Sequence, residues 1–270
     1  MRRFPAPLGA IVIVLWFAAT AASVAGASRE GHLVLAGGGA TPAVVFTRAL
    51  DLSGGRSAIV AVLPQTYPND SIGDAAIAMW KEMGAREVFK VSLADPSAAR
   101  AALDRATLIW MPGGFQGLLM KTLAGTAVPD EIRKRFAEGA TIGGASAGAA
   151  AMSRTMIADE SEPDGAAPAS AGRSKTDEGL GLWPEAVVSP HFSERRRMNP
   201  LLAIMREHPD LVGVGIDEGT AAFVSGGELE VVGRGTIVII RAQGAAARTR
   251  TTTLKPGMRF RFAPARRGAL

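Results

Sequence analysis

Three glycine-rich segments, each placed directly after a short apolar run, constrain most strongly how this chain can fold. They are residues 37–39, 113–114 and 143–148. The apolar runs have the length of buried strands, and the stretches between them have the periodicity of amphipathic helices. This alternation predicts an α/β fold with a mostly parallel sheet and helices on both faces. Ligand sites in such sheets lie beyond the carboxyl ends of the strands, so we expect the three turns to meet in one crevice.

The second half of the chain departs from this alternation. In the first half, strands are predicted at 32–36, 57–63, 87–91, 107–111 and 141–142, and helices at 42–50, 72–83, 97–103, 116–123 and 129–138. Residues 158–177 are rich in Ala, Gly, Pro, Ser and Asp and are predicted to form a loop. A strand at 185–189, a helix at 194–208 and a strand at 211–216 follow. Short strands at 221–224, 229–232, 236–241 and 258–262 then predict an antiparallel ending within the same domain.

The first 27 residues have the layout of a secretory signal peptide. Arg2 and Arg3 precede an apolar stretch over residues 8–22, and Ala25-Gly26-Ala27 matches an A-x-A cleavage pattern. We therefore expect residues 1–27 to be removed on export and residues 28–270 to form a single α/β domain in the periplasm or outside the cell. The alternative is an uncleaved membrane anchor, since the apolar stretch is almost long enough to span a bilayer. If the leader is cleaved, no stable membrane span is expected.

Composition excludes several classes of chemistry and partner. The chain has no cysteine, so disulfides, thiolate catalysis and Cys metal sites are ruled out. The formal net charge is only +5, two of these charges lie in the leader, and the basic residues are scattered with few aromatics. This pattern does not predict a nucleic-acid partner. No His pair or His–carboxylate cluster has ligand spacing, so neither a metal nor another cofactor is expected. A homodimer stays open.

Ser146 is the candidate nucleophile. It lies in the run Gly144-Ala145-Ser146-Ala147-Gly148, between a predicted strand and a predicted helix. A strand, Gly-x-Ser-x-Gly and a helix form a nucleophile elbow, in which a sharp turn lifts the serine above the sheet. The backbone N–H of Ala147, at the start of the helix, could stabilise an oxyanion. The alternative is a plain packing turn, because a chain with 32 glycines produces such a string easily.

A serine nucleophile needs a base, and the chain offers three histidines. His32 begins the first strand and is at the wrong end for the crevice, whereas His208 falls near a helix end. His191 follows the strand at 185–189 and is the best base by elimination, with a hydrogen-bonded structural histidine as the alternative. An acid should orient the imidazole. Asp217 and Glu218 follow the strand at 211–216, and the acids of the 158–177 loop (Asp159, Glu160, Glu162) compete with them.

The chain order of these candidates argues against the commonest fold with a nucleophile elbow. The α/β-hydrolases order their triad as Ser, acid, His, with the histidine near the C-terminus. Here the order is Ser, His, acid, and no histidine follows His208. An esterase or lipase of that fold is therefore not expected.

Four motifs together resemble the cyanophycinase and dipeptidase E family of serine peptidases. The motifs are Gly113-Gly114-Phe115-Gln116, Gly144-Ala145-Ser146-Ala147-Gly148, His191-Phe192 with Arg195 and Arg197 downstream, and Gly215-Ile216-Asp217-Glu218-Gly219-Thr220-Ala221. The resemblance covers nearly the whole chain after the leader. It implies a flavodoxin-like sheet related to the class I glutamine amidotransferases, with serine in place of their cysteine nucleophile.

The family resemblance also implies roles for individual residues. Ser146 would be the nucleophile, His191 the base and Glu218 the orienting acid. An oxyanion hole would come from the N–H groups of Gly114 and Ala147. The side chains that would line the substrate pocket are Gln116, Arg195 and Arg197. Arginines of this kind suit the carboxylates of a short or acidic peptide, such as an aspartyl peptide. The alternative for the arginines is a solvated helix face.

Several positions depart from the cyanophycinase pattern. Ser189-Pro190 stands where the family has Asp-Gln, Phe115 where it commonly has Asp, and Pro200 where a third arginine is expected. The catalytic positions match, but the pocket is altered, so cleavage of cyanophycin is not supported by these positions. Two other functions stay open: a binding protein that kept the fold and lost its activity, and an ester or amide hydrolase without peptide preference.

Overall fold

The computed structural model describes residues 30–158, 176–243 and 248–262. The signal peptide predicted for residues 1–27 lies outside this part of the chain. In the described part, no helix is both long and apolar enough to cross a membrane.

The central sheet has eight strands, of which five are parallel to one another. In spatial order, numbered along the chain, they are β14 (Arg259–Arg261), β11 (Glu228–Gly233), β10 (Thr220–Ser225), β1 (Leu33–Ala36), β5 (Thr141–Ala145), β4 (Leu108–Met111), β2 (Ile59–Val62) and β3 (Glu87–Lys90). On one side of β1, the neighbouring strands β1, β5, β4, β2 and β3 pair in parallel. On its other side, β1, β10, β11 and β14 pair in antiparallel fashion. The four inner parallel strands, β1, β5, β4 and β2, are buried on both faces, whereas the edge strand β3 is half-buried.

Successive residues of each parallel strand pack into different cores. Val34, Leu108 and Trp110 point to one face, whereas Leu35, Ile109 and Met111 point to the other. The first face is covered by α1 (Ala43–Leu52) and α2 (Ser71–Glu82). The second is covered by α3 (Pro96–Arg105), α4 (Gln116–Leu123), α5 (Val128–Ala137) and α6 (Ala147–Ala150). This arrangement follows from the period-two alternation of strand side chains.

A second sheet of four strands packs against the same core. Its strands are β13 (Arg248–Leu254), β12 (Ile237–Gln243), β9 (Val212–Ile216) and β8 (Ala186–Pro190). Val188 and Val214 join the core of the central sheet, and α7 (Met198–Glu207) covers the opposite face. The chain then crosses from β9 in this sheet to β10 in the central sheet. The carboxyl ends of β8 and β9 therefore lie beside the end of β1.

The predicted fold class is confirmed, and three local predictions are wrong. The helix expected over 194–208 begins only at Met198, because Arg196 has a positive φ of 53° and residues 191–197 form turns. Arg195 and Arg197 therefore do not lie on a helix face. Part of the expected 158–177 loop is a strand: β7 (Thr176–Glu178) pairs with β6 (Thr155–Ile157). Residues 159–175 lie outside the described ranges. Strand β13 was not predicted at all.

The core on the α1–α2 face is organised around Trp80. Its ring makes edge contacts with Phe46 and Trp110, with ring centroids 5.4 Å and 5.1 Å apart, and the side chain is fully buried. Edge-to-face aromatic pairs add about 0.5–1.5 kcal/mol each beyond the area they bury. Trp80 therefore links α2 to both α1 and the sheet.

We predict that Trp80→Ala lowers the free energy of unfolding by about 3–5 kcal/mol, because truncation of a buried aromatic leaves a cavity that the surroundings fill only partly. Urea unfolding followed by circular dichroism measures the change. Val44→Ala on α1 is the control, since Val44 is 55 % exposed and should shift the value by about 0.5 kcal/mol or less. A shift below about 1 kcal/mol for Trp80→Ala would contradict this account of the core.

Candidate active site

Ser146 occupies a strained turn between β5 and α6. Its backbone angles are φ 51° and ψ −110°, a conformation that costs about 1–3 kcal/mol for a residue with a side chain. The turn is possible because Gly144 and Gly148 lie against each other, and a Cβ on Gly148 would overlap the carbonyl of Met111. The small residues at these two positions are therefore required by the packing of strand, turn and helix.

The structure brings Ser146, His191 and Glu218 together. Ser146 Oγ lies 2.7 Å from His191 Nε2, and His191 Nδ1 lies 2.6 Å from Glu218 Oε1. A carboxylate oxygen accepts hydrogen bonds, so Nδ1 carries the proton and the Nε2 lone pair faces the serine hydroxyl. His191 is 8 % exposed, and the Glu218 side chain is 38 % exposed. This is the connectivity that serine hydrolysis requires of nucleophile, base and orienting acid.

Three consecutive carbonyl groups at the end of β1 hold the three segments that carry these side chains. The Ala36 carbonyl accepts from the N–H of Ser146 at 2.9 Å, and the Gly37 carbonyl accepts from the N–H of His191 at 2.9 Å. The Gly38 carbonyl accepts from the N–H of Gly219, next to Glu218, at 3.0 Å. One stretch of backbone therefore sets the relative positions of all three.

Gly38 and Gly39 cannot carry a side chain because His191 and Glu218 lie directly on them. A Cβ on Gly38 would overlap the His191 ring, and a Cβ on Gly39 would overlap the Glu218 carboxylate. Both glycines also have positive φ angles, 97° and 63°, that favour residues without a side chain.

Asp217, the other acid that the sequence left open beside Glu218, faces away from the imidazole. Its carboxylate accepts from the backbone N–H of Ser193 at 3.2 Å, the backbone N–H of Thr236 at 3.0 Å and the Thr236 hydroxyl at 2.7 Å. Burial alone would raise the pKa of Asp217, but these hydrogen bonds outweigh it and hold the pKa below its ordinary value. Asp217 thus joins the turn that carries His191 to the turn that carries Glu218.

Glu194 makes the reciprocal contact between these two turns. Its carboxylate accepts from the backbone N–H of Glu218 at 3.2 Å. The sequence did not predict that Asp217 and Glu194 hold these turns together, because no sequence pattern separates such acids from surface charges. The competing acids Asp159, Glu160 and Glu162 lie outside the described ranges.

Gly114 and Ala147, whose N–H groups the sequence suggested for an oxyanion hole, lie close to Ser146 in the chain or in space. Ala147 directly follows Ser146, and a Cβ on Gly113, the residue before Gly114, would lie 3.7 Å from Ser146 Cβ. In the described part of the chain, neither N–H donates to another backbone carbonyl. Their part in an oxyanion hole belongs to the proposed mechanism.

The predicted pocket residues line one cavity of about 610 Å³ together with Ser146 and His191. Gln116 is buried, and its amide donates to the Ile157 carbonyl at 3.0 Å. Arg197 is also buried and donates to the Pro190 carbonyl at 3.1 Å, whereas Arg195 is exposed. The three glycine-rich turns meet here as expected, with Gly38, Gly39, Gly113, Gly114 and Ala145 in the cavity wall.

The other two histidines lie away from this cavity. His32 precedes β1 at the end opposite Gly37, where burial and Arg48 lower the pKa of its imidazole. His208 follows the last residue of α7. A larger cavity of about 760 Å³ opens where β1 begins, but the described residues around it include no histidine. Within the described ranges, no group of three His, Asp or Glu side chains could hold a metal ion.

The fold and this cavity define an α/β hydrolytic enzyme whose serine, histidine and glutamate lie at the carboxyl ends of strands. Comparison with known proteins narrows the class. Residues 33–232 match peptidase family S51. A cyanophycinase from Geminocystis herdmanii is 36% identical over 209 residues, which cover 74% of this chain and 75% of the relative. A cyanophycinase from Synechococcus elongatus is 36% identical over 228 residues, covering 78% and 69%.

A solved structure supports the same fold. The crystal structure of a peptidase from an acI-B1 actinobacterium superimposes with a TM-score of 0.64 at 22% sequence identity, covering 87% of this chain and 98% of that one. The chain belongs to peptidase family S51 and is a serine-type peptidase.

We predict that Gly38→Ala lowers kcat/KM at least about a hundredfold while the protein stays folded, because the new methyl group displaces the imidazole and a misplacement of about 1 Å can cost that much. The measurement is hydrolysis of a fluorogenic peptide, with circular dichroism as the folding check. Gly257→Ala is the matched control, since Gly257 also has a positive φ (82°) but has open space around its Cβ position. Equal losses in the two variants would show that backbone strain alone is responsible.

Asp217→Asn should reduce stability in a pH-dependent way. The folded pKa of Asp217 is lowered, so its carboxylate stabilises the protein above its ordinary pKa of 3.8, and this contribution is lost as the pH falls through the folded value. Urea unfolding at neutral pH should show a loss of about 1–3 kcal/mol for Asp217→Asn. That difference from wild type should shrink below about pH 4. Asp51→Asn, at an exposed carboxylate, is the control; a pH-independent difference for Asp217→Asn would refute the carboxylate role.

Proposed function

We propose that this chain is an exported peptidase that cleaves peptide bonds through an acyl-enzyme on Ser146, with His191 as base and Glu218 as orienting acid. The observation that carries the proposal is the continuous chain of contacts from Ser146 Oγ to His191 Nε2 and from His191 Nδ1 to Glu218 Oε1. Membership in a serine peptidase family supports the reaction type.

In the first half-reaction, Ser146 Oγ attacks the carbonyl carbon of the scissile bond while its proton passes to His191 Nε2. The carbonyl oxygen becomes an oxyanion that the N–H groups of Gly114 and Ala147 bind. The C–N bond then breaks, and the imidazolium gives its proton to the leaving nitrogen. Glu218 keeps the imidazole in the tautomer that accepts at Nε2 and stabilises the imidazolium that forms.

In the second half-reaction, water hydrolyses the ester on Ser146. His191 Nε2 takes a proton from the water as the water oxygen attacks the acyl carbon. The second oxyanion is bound by the same two N–H groups. Collapse breaks the C–Oγ bond, returns the proton to Ser146 and releases the carboxylic acid.

The substrate that we propose is a short peptide that carries a carboxylate, such as an aspartyl peptide. Arg195 and Arg197 both line the cavity, and guanidinium groups bind carboxylates in bidentate geometry. A cavity of about 610 Å³ suits a ligand of a few residues. The relatives are cyanophycinases, but Phe115, Pro190 and Pro200 depart from the cyanophycinase pattern, so cyanophycin is not the substrate we propose.

Export is the second element of the proposal and rests on the leader sequence over residues 1–27. N-terminal sequencing of protein recovered from the periplasm or medium should begin at Ser28. A chain that starts at Met1 and sediments with membranes would support an anchor instead.

Ser146→Ala should lower kcat by about a millionfold, and Glu218→Gln by about ten-thousandfold, in line with losses measured when triad members are removed elsewhere. A fluorophosphonate probe followed by peptide mapping should label Ser146 in the wild type and not in Ser146→Ala. Ser225→Ala, at an exposed serine remote from the cavity, is the control and should keep full labelling and activity. Undiminished peptide hydrolysis by Ser146→Ala would defeat the mechanism.

A substrate panel distinguishes peptidase action from the other functions left open by the sequence. It contains aspartyl dipeptides, neutral dipeptides, cyanophycin and simple esters. Preferential hydrolysis of the carboxylate-bearing peptides is expected. Ester hydrolysis without peptide hydrolysis would indicate a general hydrolase, and ligand binding without turnover or labelling would indicate a binding protein.

A further inference from the structure

Two adjacent glycines after β4 share the peptide bond that supplies one donor of the proposed oxyanion hole. The carbonyl of this peptide belongs to Gly113, and its N–H belongs to Gly114. A planar trans peptide directs its carbonyl and its N–H to opposite sides. In the described part of the chain every peptide bond is trans. The direction of the Gly114 N–H is therefore set by whatever holds the Gly113 carbonyl.

The hydroxyl of Thr66 holds that carbonyl. Thr66 Oγ1 donates to the carbonyl oxygen of Gly113 at 2.8 Å, and Thr66 is fully buried. The N–H of Gly114, on the other side of the same peptide, therefore points away from Thr66. Gly114 lines the active-site cavity together with Ser146, whereas Thr66 is not part of the cavity wall. A carbonyl tied to a residue behind the wall leaves the N–H on the side of the cavity.

Two further hydrogen bonds keep Thr66 itself in place. Its backbone carbonyl accepts from the N–H of Phe115 at 2.7 Å, which joins the loop after β2 to the loop after β4. These two strands are neighbours in the sheet. The preceding residue, Gln65, anchors the first loop on its other side, because its amide donates to the carbonyl of Val91, directly after β3, at 2.9 Å. Thr66 is thus held from both sides, and its hydroxyl stays at one position.

The peptide between Gly113 and Gly114 needs such a hold because neither residue has a side chain. Gly114 has a φ of 142°, and a Cβ on it would overlap the Thr66 carbonyl, so glycine is required there. Glycine also permits many other backbone angles. A peptide between two glycines can therefore rotate until its carbonyl replaces its N–H on the cavity side. A carbonyl oxygen in that position would repel an oxyanion instead of binding it.

The Thr66 hydrogen bond also strengthens the N–H as a donor. Hydrogen bonds in a chain polarise one another, so a donor on the carbonyl oxygen makes the N–H of the same peptide more positive. This polarisation is stronger in a low local dielectric, and Thr66 is fully buried. The hydroxyl therefore acts on the oxyanion through one peptide unit and does not contact the substrate.

We propose that Thr66 is a positioning residue for peptide hydrolysis: its hydroxyl holds the peptide before Gly114 so that this N–H faces the oxyanion formed at Ser146. The inference rests on the proposed function, because it needs an acyl-enzyme mechanism with Gly114 as a donor. The distance suits that role, since a Cβ on Gly113 would lie 3.7 Å from Ser146 Cβ. The oxyanion forms only after attack on the carbonyl, so Thr66 should affect the rate of reaction and not the binding of substrate.

The test removes the hydroxyl and keeps the shape of the side chain. Thr66→Val should lower kcat for peptide hydrolysis about tenfold, the effect of one lost hydrogen bond, and leave KM unchanged. The loss should stay below the roughly hundred- to thousandfold effect of removing an oxyanion donor itself. Thr66→Ala also lacks the hydroxyl and should show the same loss, whereas Thr66→Ser keeps it and should stay within about twofold of wild type. Circular dichroism checks the fold of each variant.

A peptide aldehyde provides a second readout, because it forms a hemiacetal with Ser146 whose oxygen resembles the oxyanion. Its inhibition constant should rise in Thr66→Val by about the factor by which kcat falls. Calorimetry then measures binding of the uncleaved peptide to Ser146→Ala, with and without Thr66→Val. The dissociation constant of that complex should be the same in both proteins, since no oxyanion forms in either.

Thr141→Val is the matched control. Thr141 is also a fully buried threonine, and its hydroxyl has no hydrogen-bond partner within the described ranges. It is the first residue of β5, at the opposite end of the strand from Ser146. Thr141→Val should therefore keep the wild-type kcat, KM and aldehyde inhibition.

The outcomes separate failure of the Thr66 role from failure of the proposed function. A kcat for Thr66→Val within about twofold of wild type, a rise in KM alone, unchanged aldehyde inhibition, or an equal loss in Thr66→Ser would each overturn the role of Thr66. In all of these cases Ser146→Ala is still inactive, and the proposed function stands. Undiminished hydrolysis by Ser146→Ala would overturn the proposed function and the Thr66 role together.

Discussion

The active site depends on three successive backbone carbonyls at the end of the first strand. Ala36, Gly37 and Gly38 accept hydrogen bonds from the segments that carry the serine, the histidine and the glutamate. Backbone groups have no rotamers, so distances fixed in this way vary less than distances set through side chains. The strain at Ser146 and the positive φ of 49° at His191 persist because each residue is bonded to this stretch through its own N–H.

The meeting of Ser146, His191 and Glu218 at the end of β1 depends on the presence of two sheets. Ser146 ends a strand of the central sheet, whereas His191 and Glu218 follow strands of the smaller one. A single sheet would place the three residues in a row, about 4.8 Å apart per strand. Two sheets that meet at the end of β1 instead let the imidazole reach over Gly38 to the serine. Asp217 and Glu194 then lock the two turns of the smaller sheet to each other.

The elements that could be predicted from sequence were those that bury apolar side chains at a regular period. The parallel strands, their helices and the glycine turns at the strand ends belong to this group, and the turns located the crevice. Periodicity does not report pairing partners, so the second sheet could not be foreseen. Strand β13 alternates arginine and threonine on an exposed edge and carries no apolar signal. The late start of α7 depends on the backbone of Arg196, a conformation that its sequence does not mark.

The residues of the site also differ in whether the sequence carries a signal for them. His191 could be found by elimination because the chain has few histidines. Asp217 and Glu218 could not be separated from the residues alone, since adjacent residues on a turn point in different directions and only the fold decides which one faces the ring.

The backbone that positions Ser146, His191 and Glu218 and the side chains that form the cavity walls can change independently of each other. The positions of His191 and Glu218 are set by the glycine backbone beside them, where almost any side chain would collide with the imidazole or the carboxylate. The cavity walls are set by side chains on the loops after β2, β4 and β8, where one residue can replace another without moving the strands. Membership in peptidase family S51 therefore supports the type of reaction more strongly than it supports any particular substrate. Phe115 marks the boundary between the two: its N–H donates to the Thr66 carbonyl, and the residue lines the cavity.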